Sequence, residues 1–276
     1  MLPFAYIAIG GAVILGLVVG SFLNVVILRG KNGETLGGRS RCPHCARTLS
    51  IKELIPVASF LFQKGRCRSC GAALSLQYPL VEAGTALAYG IALWHLLPSL
   101  DASLGSLALL SAVFVGIAAA IVIFVSDLRW MIIPDGAVLV LAFLGIAATI
   151  MRSLSSLPSW SSSLSWFGSL LYDGISACVI ALFFAVLWYA SRGRWMGFGD
   201  AKLALATSLL VGFPASIAAF LFSFWTGAAV GILLLFSKRR TLAETIPFGP
   251  FILLGTLIAY FYSSTLLRIA GFPLFL

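Results

Sequence analysis

The 276-residue chain is 61% hydrophobic and only 10% charged, with a mean hydropathy of +1.06, whereas soluble globular chains carry about 25% charged residues. That balance excludes a water-soluble domain. The net charge of +9 would suit nucleic acid in a soluble protein, but here the basic residues sort by loop as membrane topology requires, and no nucleic-acid partner is expected.

Crossing the hydrocarbon core takes about 20 apolar residues. The first such run extends from Phe4 to Leu28. No basic n-region precedes it, and it is too long for a signal-peptide core, so a retained helix is expected. A polar insertion over 29–78 follows, and the second run spans Pro79 to Leu97. Six more cover Ser106 to Val125, Ile132 to Met151, Ile175 to Ala190, Ala201 to Gly212, Ser216 to Phe236 and Ile246 to Leu267. Lipid offers no partner for exposed backbone groups, so the spans must be α-helices. The sequence therefore predicts an all-α polytopic membrane protein with about eight transmembrane helices. The sixth run is short and stops at Gly212-Phe213-Pro214, which leaves counts of seven or nine open.

Arg29, Lys31, Arg39, Arg41, Arg47, Lys52, Lys64, Arg66 and Arg68 all lie in the first insertion, nine of the 18 basic residues. The positive-inside rule makes that loop cytoplasmic and the N-terminus external. Counting onward, Arg129, Arg192, Arg194, Lys202, Lys238, Arg239 and Arg240 also fall inside, and Arg152 and Arg268 outside. The connection from Arg152 to Tyr172, rich in Ser and containing Pro158, is expected as an outer-surface tether.

Within the insertion, Cys42-Pro43-His44-Cys45 and Cys67-Arg68-Ser69-Cys70 are two C-x-x-C pairs separated by 21 residues. This is zinc-ribbon spacing: each turn presents two thiolates, and two turns complete a tetrahedral shell around Zn²⁺. A reducing cytoplasm argues against disulfides. Four sulfurs saturate the ion, so His44 is not needed as a ligand and the site is structural, with no open position for substrate. Cys178, alone in the fifth run, reads as a small buried apolar residue.

Only nine acidic residues occur. Asp127 closes the third run and Asp200 opens the sixth, within Gly197-Phe198-Gly199-Asp200-Ala201-Lys202. Both then stand at cytoplasmic helix ends. An ionisable group there marks a functional candidate. Two converging carboxylates share a proton, so the pair can activate water as a base and protonate a carbonyl as an acid. The bland alternative is an interfacial cap, or a partner for Arg129 or Lys202. Gly197 and Gly199 permit close backbone approach to a substrate strand. Asp135, after Pro134, reads as an N-cap of the fourth span. Glu82 falls in the first turn of the second span, at the membrane boundary, where it suits the helix dipole or faces a site.

Taken together these residues resemble the bacterial type IV prepilin peptidase family of aspartic membrane proteases. The resemblance is carried in order by Gly20-Ser21-Phe22-Leu23-Asn24, the two cysteine knuckles with Gly65, Tyr78-Pro79-Leu80-Val81-Glu82, Asp127 through Pro134-Asp135, Gly197 through Lys202, and Ile246-Pro247-Phe248-Gly249-Pro250-Phe251. It departs from the family at Leu54-Ile55-Pro56, where Asn-Ile-Pro is common, and at Arg129, where a second acid is common.

The resemblance implies Asp127 and Asp200 as the catalytic pair, with Gly197, Gly199, Lys202, Pro134, Asp135, Glu82, Asn24 and Gly65 in supporting or substrate-binding positions. It implies a bacterial inner membrane enzyme that cuts type IV prepilins or type II secretion pseudopilins after a Gly ending a short basic leader. It also implies methylation of the exposed N-terminal residue with S-adenosylmethionine. No glycine fingerprint locates the methyl donor. Residues 1–105, comprising the first helix, a zinc loop over 29–78 and the second helix, then form a methyltransferase-type half, and 106–276 an aspartic peptidase core. Two rival readings remain: another G-x-G-D intramembrane protease, and a transporter with a zinc-stabilised cap.

Overall fold

The computed structural model describes residues 2–101, 103–155, 164–236 and 246–269. Nine α-helices follow one another among them: α1 (Leu2–Asn32), α2 (Ala58–Phe62), α3 (Gln77–Leu96), α4 (Leu104–Trp130), α5 (Asp135–Ser155), α6 (Leu164–Ser191), α7 (Phe198–Val211), α8 (Ala215–Phe236) and α9 (Gly249–Ile269). No strand forms among the described residues, only two isolated bridges in the cysteine loop. All helices but the five-residue α2 coincide with the eight apolar runs. Among the described residues six, namely α1, α3, α4, α5, α6 and α8, are long and apolar enough to cross a membrane, and α9 contributes the shorter apolar stretch Gly249–Tyr262. At 1.5 Å per residue the 14-residue α7 extends about 21 Å, less than the hydrocarbon core of about 30 Å. Ile7, Leu139, Phe143 and Leu233 stand exposed, which suits a lipid solvent.

The chain forms two compact units, Met1–Val122 and Ile123–Leu276, with the division inside α4. In the first, α1 packs along α3 through small residues spaced four apart. A Cβ at Gly16 would lie 2.6 Å from the Ala86 Cα, and one at Gly20 2.7 Å from the Glu82 Cα. Asn24, one turn further, is buried. Its amide donates to the carbonyls of Gly20 at 3.3 Å and Tyr78 at 3.2 Å, and its oxygen accepts from Gln77 at 3.2 Å. Tyr89 stacks on Phe114 with centroids 4.1 Å apart and donates its hydroxyl to the Phe114 carbonyl at 2.9 Å. That contact brings α4 onto α3 beside Ala12 and Leu93.

In the second unit α7 is packed against α5, α6, α8 and α9, so its small residues Ala201, Ala204, Ala206 and Ser208 are buried. A polar network holds its C-terminal end. Arg152 pairs with Asp173 at 3.0 Å and donates to the carbonyls of Leu209 at 2.6 Å and Leu210 at 2.9 Å. Asp173 also accepts the Phe213 N–H at 2.7 Å. A guanidinium on the last carbonyls of a helix satisfies orphaned acceptors and complements the dipole.

Several expectations are corrected. The tether predicted over Arg152 to Tyr172 contracts, because α5 runs to Ser155 and α6 begins at Leu164; the remainder, 156–163 with Pro158, lies outside the described residues, as do Lys238, Arg239 and Arg240. Arg152 is an ion-paired helix residue, not a loop charge. Cys178 is exposed on α6, where a membrane helix can present an apolar thiol to lipid without the cost it would carry in water. Glu82 lies beyond the first turn of α3, which starts two residues before Pro79, at Gln77.

Candidate active site and metal centre

Asp127 lies in the last turn of α4 and Asp200 in the first turn of α7, and both are buried. Each has one oxygen tied to a backbone N–H. Asp127 Oδ2 accepts from Gly249 at 2.8 Å, and Asp200 Oδ2 accepts from Gly197 at 3.1 Å. The second arrangement is a cap, in which the third helical residue reaches back to the residue before the helix. One side chain, Ile133, lies against both Gly199, the neighbour of Asp200, and Gly249, the donor to Asp127, so the two acids flank the same packing point. Asp200 Oδ1 is buried and accepts no hydrogen bond among the described residues, so this carboxylate keeps an acceptor that none of them consumes. Unmet polar atoms in buried positions are rare, and they concentrate where chemistry is done.

Three segments create this geometry. Beyond α4 the chain turns at Met131, whose φ of 55° is unusual for a residue with a side chain and whose N–H donates to the Asp127 carbonyl at 2.8 Å. Ile133 then packs between the two glycine segments: a Cβ on Gly199 would lie 3.0 Å from its Cβ, and one on Gly249 3.4 Å from its Cδ1. A Cβ on Gly249 would also lie 2.7 Å from Asp127 Oδ2, so only glycine brings this backbone against the carboxylate. Phe248 fixes the approach by packing on Phe184 at 5.8 Å and Phe224 at 5.1 Å.

Lys202 does not pair with Asp200. It is bonded to Asp135 and lies 5.7 Å over the Phe198 ring. Asp135 is the first residue of α5, not its N-cap; the Pro134 carbonyl starts that helix by accepting from Ala137 and Val138.

The four cysteines Cys42, Cys45, Cys67 and Cys70 converge, with all sulfurs within 4.8 Å of one another and no disulfide formed. A tetrahedral ion at about 2.3 Å from each sulfur separates the sulfurs by about 3.8 Å, so the set fits a metal ion. The two knuckles are the same structure offset by 25 positions. Cys42 N–H bonds Arg47 O and Cys67 N–H bonds Ala72 O, both at 2.9 Å. The bridges Arg41–Thr48 and Arg66–Ala73 match, and Ala46 and Gly71 take the same left-handed conformation. N–H groups of Cys70 and Ser69 pull the Cys67 thiol down to about 6. The Cys70 thiol accepts from Ala72, yet burial and the neighbouring thiols push it up to about 11. One sulfur is thus ready as thiolate and another yields its proton to a cation.

The remaining predicted residues gather in the first unit. Glu82 is buried and accepts the Val57 N–H at 2.7 Å, which ties the cysteine loop to α3. Gly65, at φ 66°, ends α2 by donating to Phe60 O at 2.9 Å and starts the second knuckle by accepting from Leu74 at 2.7 Å. Sequence reasoning missed Gly249 as the donor to Asp127, although its motif was visible. It also missed Glu53, buried and paired with Arg47, and the Arg152–Asp173 network.

Comparison with known proteins shows the family to which the chain belongs. Residues 14–96 match the bacterial peptidase A24 N-terminal domain, and residues 114–232 match the type IV leader peptidase family. A prepilin leader peptidase/N-methyltransferase of Bacillus subtilis is 35% identical over 92% of this chain and 94% of its own length. Proteins of the same description from Burkholderia pseudomallei and Pseudomonas aeruginosa are 31% and 30% identical over 94% and 98% of this chain, and over 87% and 96% of their own lengths. No solved structure matches the chain significantly.

Proposed function

This chain belongs to the type IV leader peptidase family, and from that premise we propose that it cleaves the leader from type IV prepilins or pseudopilins and then methylates the new N-terminus. Asp127 and Asp200 carry the hydrolysis. The observation that supports this most directly is the pair itself: two buried acids, each held through one oxygen by a glycine N–H, with Asp200 Oδ1 unengaged among the described residues. One carboxylate takes a proton from water as the oxygen attacks the scissile carbonyl, and the other, protonated, donates to the carbonyl oxygen. Collapse of the tetrahedral adduct breaks the C–N bond, and the departing amine receives the proton.

Gly197, Gly199, Pro134 and the Lys202–Asp135 pair shape the edge where the substrate strand lies. Residues 106–276 form the peptidase core and residues 1–105 the methyltransferase-type half. In that half Cys42, Cys45, Cys67 and Cys70 hold a structural Zn²⁺, with Asn24, Glu82 and Gly65 in support; S-adenosylmethionine supplies the methyl group. The charge distribution supports a bacterial inner membrane location with the zinc loop cytoplasmic and the N-terminus outside. The test is cleavage of a synthetic prepilin by purified protein, followed by mass. Asp127→Asn and Asp200→Asn are each expected to abolish the cut, and wild-type cleavage by either variant overturns the assignment.

A further inference from the structure

The first unit contains a cavity of about 930 Å³ bounded by α1, the cysteine loop and the start of α3. It is large enough for a cofactor-sized ligand, whose sites fill roughly 300–1,000 Å³. Every residue lining it falls between Ser21 and Glu82, so it contains none of the unit that carries Asp127 and Asp200. Its lining is chemically mixed. Phe60 and Tyr78 supply aromatic faces, exposed Arg39 and Arg41 supply positive charge, and buried Glu82 supplies a carboxylate.

The turn over 33–39 is braced from one side. Arg29 donates to the carbonyls of Thr35 at 3.1 Å, Gly37 and Arg39 at 3.2 Å. Gly33, Gly37 and Gly38 in that turn have nothing within 4 Å of an added Cβ, so the backbone there faces open space. A turn held rigid with its surface clear is prepared for a ligand and needs little ordering on binding.

We propose that this cavity binds the methyl donor, an adenosyl sulfonium amino acid, with Glu82 facing its cationic centre. The inference rests on the methyltransferase reading above. An aromatic face suits the purine, guanidinium groups suit the amino-acid carboxylate, and a carboxylate shielded from water suits a sulfonium. In the transfer, the lone pair of the pilin's neutral N-terminal nitrogen attacks the methyl carbon. The C–S bond breaks with its electron pair passing to sulfur, which leaves a neutral thioether. The nitrogen, now positive, releases a proton to water. The positive charge moves from sulfur to nitrogen beside Glu82 throughout, so the carboxylate is matched to the whole reaction coordinate.

The test uses the full metal-loaded chain in lipid nanodiscs, with S-adenosylmethionine and S-adenosylhomocysteine, whose sulfur is a neutral thioether, as probes. Wild-type protein is expected to bind both, with hydrogen exchange slowed in segments 33–41 and 57–64. Glu82→Gln retains an oxygen for the Val57 N–H, so the loop stays docked and metal content is unchanged. It is expected to weaken the sulfonium ligand about tenfold, near 1.4 kcal/mol, while affinity for S-adenosylhomocysteine changes little. A purely structural Glu82 would move both affinities together, and that result overturns its role. Ser59→Trp, which fills the cavity, is expected to weaken both probes. Methylation of a synthetic mature pilin peptide, already bearing a free amine, separates the two levels of failure. If wild type methylates the peptide but the donor protects other segments, this pocket is wrong and the methyltransferase reading stands; if wild type neither binds donor nor methylates, both fall.

Discussion

Substituting Gly249 by alanine is the sharpest probe of the peptidase site. The added methyl would lie 2.7 Å from Asp127 Oδ2 and 3.3 Å from its Cγ, closer than carbon and oxygen tolerate. The backbone dihedrals at Gly249 need no glycine, since it is absent from the residues with positive φ, so the contact alone is tested. Either the carboxylate swings away or the α9 segment retreats, and both lengthen the 2.8 Å bond. A hydrogen bond to a charged group contributes about 1.5–3 kcal/mol, and each 1.36 kcal/mol is tenfold in rate. Displacement of a reacting group by about 1 Å costs about 100-fold. We expect kcat on a synthetic prepilin to fall roughly 100-fold, with KM and metal content near wild type. Gly136→Ala, in the first turn of α5 where an added Cβ meets nothing within 4 Å, serves as the control and should cleave normally. Wild-type kcat in Gly249→Ala would refute the claim that this N–H positions Asp127.

Stripping the metal with a chelator should unfold the cysteine loop, seen as rapid proteolysis within 33–73, while helicity barely changes, because the knuckles have little apolar core of their own; loss of all helicity would contradict a local structural site. Asp173→Asn should lower stability by up to about 3 kcal/mol, since it leaves the Arg152 guanidinium without its counter-charge, and the double variant with Arg152→Ala should lose less than the sum of the single losses. Additive losses in thermal melts would mean the two residues act separately. The Glu53 carboxyl is held below the usual range, first by the Ser50 N–H and also by Arg47. Its contribution is therefore complete above the unfolded value of about 4.3 and is lost as pH falls through the lower folded value. The stability gap between wild type and Glu53→Gln should narrow as pH drops from about 6 towards 3; a gap independent of pH would show that the carboxylate charge contributes nothing.

Much of this molecule is legible along the chain because the signals are local. Apolar run length marked eight helices, since each span must satisfy its own backbone bonds within a contiguous segment. The C-x-x-C pairs announced their convergence because a metal shell needs two short turns and little else. Asp127 and Asp200 stood out as two of only nine acids in a hydrophobic chain. What the sequence could not settle were contacts between residues far apart in it. Gly249 meets Asp127 across 122 positions, Arg152 and Asp173 clamp the end of α7 across 57 and 40 positions, and Val57 rests on Glu82 across 25. Hydropathy reports whether a segment prefers lipid, not which face meets which neighbour. The packing of small residues on α1, α3, α5 and α7 decides that, because helices in lipid associate through close fit and hydrogen bonds and gain nothing from expelling water.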